Sequence, residues 1–321
     1  YLQIWGKTLK NINYLCLKFT LGILHDCQLP GKKVSTLTGA MLSKFKKLYC
    51  INRNNSVCCM ECKIRDICMI FEMMGEKFDK NAPIAMQSDV FPRFIINCRD
   101  GRTIFKENDT LEFELIIFDN LTELFIQYIY VFETIGQSGL GPEKARYELL
   151  SVSDGKGNII YKNTLLTGNA PVSDIREYIS SRLDYCLNNR KNISRMTLLS
   201  SVMLNSDCKN GNKKVFFFSA EAFSYSIRER LSRLNVLEKE DEEKLNELLS
   251  DKRIINGINM KLTKIDYYIQ NEQKTVTFPR FKGYIVFDIE RINSYLDYFF
   301  ACEKLCIGQN ILLGFGRYVM G

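Results

Sequence analysis

The sequence predicts an α+β fold: two tandem ferredoxin-like (RRM-like) domains, the first carrying a cysteine-rich insertion. Three observations support this. The chain has 321 residues and is 46% hydrophobic, about two domains' worth of length with apolar mass for two cores. Segments with strand alternation and segments with helical spacing follow one another along it. The same order of elements recurs in outline from Asp174 onward, without a residue-level repeat. The expected boundaries are 1–165 for the first domain, with its insertion at 50–75, and 174–321 for the second, which ends in a glycine-rich loop and strand.

Each element has its own justification. NYLCLKFTLGIL, Asn13 to Leu24, alternates and is rich in large apolar residues, as a strand is. Val34 to Tyr49 places Leu37, Met41, Phe45 and Leu48 near helical spacing, with lysines mostly on the other side. Asp109 to Asp119 is a second strand. Asn120 to Gly136 reads as a helix capped by Asn120 and stopped by Gly136. Ala145 to Asp154 is a strand that turns at DGKGN into IIYK.

In the second half, the helix Asp174–Leu187 leads into the strand Arg195–Leu204 and the helix Glu221–Leu237. Glu238 to Asp251 is an acidic helical run that should face away from any polyanion. Ile255–Gln270 and Arg280–Glu290 are strands, followed by a helix over Asn293–Cys306. The tail holds Ile311, Leu312, Leu313, Phe315, Tyr318 and Val319, too apolar to fray, and reads as a buried strand after a glycine-shaped turn. Each half thus matches a split strand-helix-strand unit, two helices on one face of an antiparallel sheet with the other face open.

The formal charge is +7, and its distribution is uneven. Residues 1–47 hold eight lysines (Lys7, Lys10, Lys18, Lys32, Lys33, Lys44, Lys46 and Lys47) against one acid, Asp26, so this segment's surplus equals that of the whole chain. A concentrated basic segment suits a phosphate-backbone binder; a solvated face is the alternative. No run approaches about 18 uninterrupted apolar residues and the opening stretch lacks a small-residue cleavage site, so neither membrane span nor leader is expected and the predicted location is cytoplasmic. The twelve cysteines accordingly read as reduced thiols or metal ligands. Cys50, Cys58, Cys59, Cys62 and Cys68 crowd residues 50–68, and Cys50, Cys59, Cys62 and Cys68 make up a tetrahedral thiolate set. Zinc is the default occupant, an iron–sulfur cluster fits the same ligands, and Cys58 competes with Cys59; reduced thiols are the alternative. The site's role would be structural, since four protein ligands leave no position for water.

Glycines follow a helix in both halves: Gly136, Gly139 and Gly141, then Gly308, Gly314, Gly316 and Gly321. They supply left-handed caps and close backbone approaches. The closing stretch, KLCIGQNILLGFGRYVMG, resembles the glycine-rich signature of the RAMP superfamily of CRISPR proteins. The chain as a whole resembles the CRISPR-associated protein six family, the endoribonucleases that process precursor CRISPR RNA. KKVSTLTGAMLSKFKKLYC, CKIRDICMIFE, TIGQSGLGPEKARYELLSV, SYSIRERLSRL and RFKGYIVFDIE carry the same likeness in the same order.

That resemblance implies CRISPR repeat RNA or its processed product as partner, further CRISPR effector subunits, a homodimer as one oligomeric form, and no membrane. It implies cleavage without a metal, by attack of a 2′-hydroxyl on the adjacent phosphorus to leave a 2′,3′-cyclic phosphate and a 5′-hydroxyl. The family tends to place its catalytic group between the first strand and first helix, where this chain has its one histidine, His25. His25 is then the proton carrier, Lys33 the phosphate holder beside Lys32, and Tyr49 a second proton carrier. A histidine at a strand end, satisfied by water or by Asp26, is the plainer alternative. Lys32, Lys44, Lys46 and Lys47 would contact the RNA backbone with Gly308, Gly314, Gly316 and Arg317. The histidine and lysine that often flank the family's first tail glycine are replaced by Cys306 and Gln309. A RAMP subunit that holds guide RNA without cutting it is the alternative function.

Overall fold

The computed structural model describes residues 9–53, 57–204, 220–237, 239–269 and 273–321; Lys7, Glu238 and Gln270 lie outside them. Two compact units divide the chain. One comprises Asn13–Ser173 with Leu312–Gly314, and the other comprises residues 9–12, Asp174–Ile311 and Phe315–Gly321.

The first unit runs β1 (Asn13–Ile23), β2 (Cys27–Gln28), α1 (Lys33–Tyr49), α2 (Met69–Met74), β3 (Phe94–Asn97), β4 (Ile104–Phe105) and β5 (Thr110–Phe118). It continues with α3 (Phe125–Ser138), β6 (Tyr147–Asp154), β7 (Ile159–Lys162), β8 (Leu165–Leu166) and, at its boundary, β9 (Ser173–Asp174). The strands order β3-β5-β1-β6-β7-β8, each neighbouring pair antiparallel. Strand period two puts Leu15, Leu17, Phe19 and Leu21 on one face of β1, and all four are buried. Phe19 stacks on Phe113 at 4.8 Å and tilts against Phe132 of α3 at 4.9 Å. From α1, Leu37, Met41 and Phe45 close the same core, Phe45 meeting Tyr128 edge-on at 4.9 Å.

Two sequence readings change here. β3 escaped notice because it is buried on both faces, Phe94 to Asn97 without alternation. Asn120 does not cap the following helix: Asp119–Leu124 is a 3₁₀ segment and α3 starts at Phe125. Nor does Gly136 stop it. Gly136 lies inside α3, where a Cβ would sit 2.3 Å from the Tyr147 carbonyl oxygen, so it is glycine to let β6 approach. The helix ends at Gly139, with φ +87° and its N–H donating to the Ile135 carbonyl at 2.7 Å.

The second unit runs α4 (Ile175–Asn188), β10 (Arg195–Leu198), α5 (Ala220–Arg233), α6 (Lys239–Ser250), β11 (Ile255–Ile269), β12 (Lys274–Phe287), α7 (Ile289–Ile292), α8 (Leu296–Leu305) and β13 (Tyr318–Met320). Its antiparallel sheet orders β11-β12-β10-β13. Phe287 packs between Phe223 of α5 and Phe299 of α8, at 5.7 and 5.0 Å, so those helices cover one face. Arg182 clamps Glu303 at 2.8 Å and donates to the Met320 carbonyl at 3.0 Å, tying α4 and α8 to the last strand. Residues 9–12, which the sequence placed in the first domain, group with this unit. The Lys10 N–H donates to the Val236 carbonyl at 2.9 Å, and the Ile175 N–H to Ile12 at 3.0 Å.

The tail is buried as its composition requires. Ile311 to Leu313 form one 3₁₀ turn, and Leu312 joins the core of the first unit. Among the described residues no helix is long and apolar enough to cross a membrane.

Candidate nucleic-acid site

His25 stands just past β1, exposed, between Leu24 and Asp26. Asp26 does not satisfy it. That carboxylate accepts from Lys106 Nζ at 2.7 Å and from the Glu107 N–H at 3.0 Å, and these bonds hold its pKa below the usual carboxylate value. Among the described residues His25 makes no side-chain hydrogen bond, and its charge acts on Asp26 only through space. The register of β1 against β6 sets its neighbour: the Leu24 N–H donates to the Arg146 carbonyl at 3.1 Å, one step beyond the pair Ile23 and Tyr147. Arg146 is exposed and stands across from Leu24 at the same end of the sheet as His25.

The lysines divide. Lys33 is 1% exposed, and its ammonium donates to the Asp100 carbonyl at 3.0 Å and to the Arg102 carbonyl, with the Phe105 ring 5.0 Å away. Burial lowers its pKa, and Asp100 partly offsets this. Lys33 is therefore an interior tie that holds the loop before β4. Lys32 is exposed at the start of α1, which opens without a side-chain cap and without an acid in its first turn. The helix thus presents free N–H groups and a partial positive charge beside Lys32. Lys46 donates to the Lys80 carbonyl at 3.3 Å and to Asn81 Oδ1 at 3.4 Å, while Lys44 is half-buried and Lys47 exposed.

Tyr49 cannot share a phosphate with that group. α1 has 17 residues, so Tyr49 lies about 24 Å along the axis from Lys33. It packs on Phe45 at 5.6 Å, and burial pushes its pKa up. Both facts remove it from proton transfer near His25.

The cysteine segment folds without a gathered ligand set. Among the described residues no three His, Cys, Asp or Glu side chains are grouped as metal ligands. Cys50 caps the end of α1, Cys68 precedes α2, and Cys62 accepts from Asn52 Nδ2 at 3.1 Å. Burial raises the Cys59 pKa. The segment is held instead by Ile70, Met73 and Met74 in the core and by Lys80, which donates to the Asn52 carbonyl at 2.7 Å.

The tail residues serve their own unit. Gly308 and Gly316 have φ of +76° and +86°, and a Cβ would fall 2.4 Å from the Met203 carbonyl oxygen and 1.9 Å from that of Ile307. Gly314 groups with the first unit, where a Cβ would meet Val34 at 3.1 Å. The Arg317 backbone is pinned: its N–H donates to Ser200 Oγ at 2.9 Å, and its carbonyl accepts from Leu199 and Ser200. Arg146 went unnoticed in the sequence because only the strand register brings it to this end of the sheet.

Lys33→Met is expected to lower stability by about 2–3 kcal/mol, since two buried carbonyls lose their donor. Urea unfolding checks this. A kcat defect at unchanged stability would instead return Lys33 to the chemistry.

The family model AF_1859_N, described as an N-terminal domain, matches residues 11–172. No curated protein matches the sequence. Among solved structures, a Cas6 product complex is similar over 95% of this chain and 99% of its own, with a TM-score of 0.56 at 13% identity. The Cas6 of Thermus thermophilus follows over 98% and 99%, at 0.51 and 12%. A partial Cas6-RT-Cas1–Cas2 complex matches 97% of this chain at 0.54 and 10% identity. This chain covers only 46% of that protein, and 29% of the chain in a second such complex. At these identities the likeness is one of fold: mixed α and β, antiparallel sheets, Cas6-like.

Proposed function

We propose, from the premise that this chain belongs to the AF_1859_N family through residues 11–172, that it binds CRISPR repeat RNA and cuts it without a catalytic metal. The observation that carries the reading is His25: the one histidine of the chain, exposed between β1 and α1 and without a side-chain hydrogen bond among the described residues. The Cas6-like fold, with a product complex among its similar structures, supports it. So does the strand order, the same in the β3-β5-β1-β6 core as in β11-β12-β10-β13, which fits two tandem ferredoxin-like domains.

In the proposed reaction the 2′ oxygen bonds to phosphorus as the bond to the 5′ oxygen breaks. His25 takes the 2′ proton and water protonates the departing oxygen. Charge on the phosphorane is met by Arg146, Lys32 and the first N–H groups of α1. Lys44 and Lys47 contact the RNA backbone beyond the reacting phosphate. Other CRISPR proteins are further partners, an inference supported by the Cas6-RT-Cas1–Cas2 complexes.

A second reading rests on Lys33 and Tyr49. With both turned to structural work, His25 stands alone, as it would in a subunit that holds guide RNA without cutting it. Incubation with repeat-containing RNA in chelator separates the two. Site-specific fragments support the enzyme; tight binding with intact RNA at enzyme excess supports the holder.

A further inference from the structure

Helices α5 and α8 pack on one face of the second unit's sheet, and the strand register decides what stands on the other, which Ile265 and Phe278, both buried, close beyond Thr263 and Arg280. The covered face holds Met196, Leu198, Phe281, Ile285, Tyr318 and Met320, all buried. Alternation sends the intervening residues to the other face, where the pairs Asn259 with Tyr284, Lys261 with Lys282 and Thr263 with Arg280 share one side of the β11–β12 ladder. β10 adds Arg195 there, one step from Thr197, which pairs with Tyr284. Among the described strand residues on this face none is acidic; Asp266 falls on the opposite side, opposite Thr277.

Two features resist a purely structural explanation. Lys261 and Lys282 are both exposed and face each other directly across the ladder, an arrangement that costs stability unless an anion lies between them. Arg195 lies 3.9 Å over the half-buried Tyr284 ring, so a planar cation and an aromatic face are held together at the surface. Arg280 is positioned by its Nε donating to Thr263 Oγ1 at 3.1 Å. Farther along β11 and β12, Tyr267 packs on Phe278 at 5.8 Å and on Phe315 of the tail at 6.4 Å, so the glycine-rich segment borders this face. From Arg280 to Tyr284 the face runs about 14 Å along β12, and three strands span about 10 Å across it. That is room for about two or three unpaired nucleotides, with phosphates on the lysines and a base against Tyr284.

We propose that this face is a second RNA-binding surface, one that seats single-stranded RNA: Lys261, Arg280 and Lys282 bind its phosphates while Tyr284, backed by Arg195, stacks a base. The proposal rests on the RNA-processing reading above and deepens it. An acidic peptide would use the lysines but not the ring.

The test measures binding of a labelled dodecauridylate RNA by the full chain, across a salt series, against duplex RNA of the same length and a polyglutamate peptide. Lys261→Glu is expected to weaken dodecauridylate binding about tenfold or more and to shrink the salt slope by about 0.7 for each phosphate that is no longer neutralised. Tyr284→Ala is expected to weaken it about fivefold to a hundredfold without changing the slope. Lys261→Glu also removes a like-charge pair, so its unfolding midpoint should hold or rise, and weaker binding cannot then be laid to unfolding. Unchanged affinity in both variants, tighter binding of duplex, or tighter binding of polyglutamate overturns the proposal. Wild-type cleavage of repeat RNA together with unaffected variants would sink this surface and leave the processing reading standing. Weakened binding in the variants with no cleavage by the wild type would do the reverse.

Discussion

His25→Ala is expected to reduce cleavage of repeat RNA by about 10²–10⁴-fold, measured under single turnover, while RNA affinity changes less than about twofold. The side chain is exposed and makes no hydrogen bond among the described residues, so its loss opens no cavity and orphans no buried group. The unfolding midpoint should stay where it is. The neighbouring pair provides the contrast. Asp26→Asn cuts the tie to Lys106 and should shift the loop that carries His25, giving a smaller loss in rate. Equal rates for His25→Ala and the unsubstituted protein would take the histidine out of the chemistry.

The largest effect on stability should come from Gly316→Ala, at about 3–5 kcal/mol. The left-handed φ of +86° accounts for about 1–2 kcal/mol. The rest comes from the new methyl, which would lie 1.9 Å from the Ile307 carbonyl oxygen. That oxygen belongs to backbone already bonded here, since the Ile307 N–H donates to the Gly316 carbonyl at 3.0 Å, so neither segment can yield cheaply. Gly75→Ala is the matched control: φ is +75° with open space around it, and only the cost of the φ should appear. Urea denaturation of the two variants separates backbone crowding from conformational strain. Equal losses would mean that the tail glycines are kept for φ alone.

Much of the architecture was legible because burial leaves a period. β1, α1 and α5 carry one-sided patterns that the sequence displays directly, while α8 and the tail, buried nearly all round, are legible from their apolar content alone. β3 was not legible, because four consecutive buried residues have no period to read. Gly136 looked like a helix stop, since a glycine that admits β6 and a glycine that ends a helix are the same letter. Of the candidate site, His25 and Lys32 stand exposed where the basic segment suggested. Lys33 has the same charge and an adjacent number, yet helix geometry turns it inward onto two carbonyls. Tyr49 fails through distance, because neighbours on either side of a 17-residue helix are far apart in space. For the cysteines, spacing shows a crowded run with a C-x-x-C pair but not where the fold puts it: Cys50 at the end of α1, Cys68 before α2, and both with Cys59 against the core. Arg146 and the pairing of Lys261 with Lys282 are products of strand register, which no linear pattern in this chain reveals.

The central claim is that RNA is cut by its own 2′-hydroxyl near His25. Mass spectrometry of the fragments released from repeat-containing RNA in excess chelator tests it most directly. The predicted upstream fragment ends in a 2′,3′-cyclic phosphate and the downstream one begins with a 5′-hydroxyl, at one position per repeat. A 3′-hydroxyl with a 5′-phosphate, or cleavage that stops when divalent ions are removed, would contradict it.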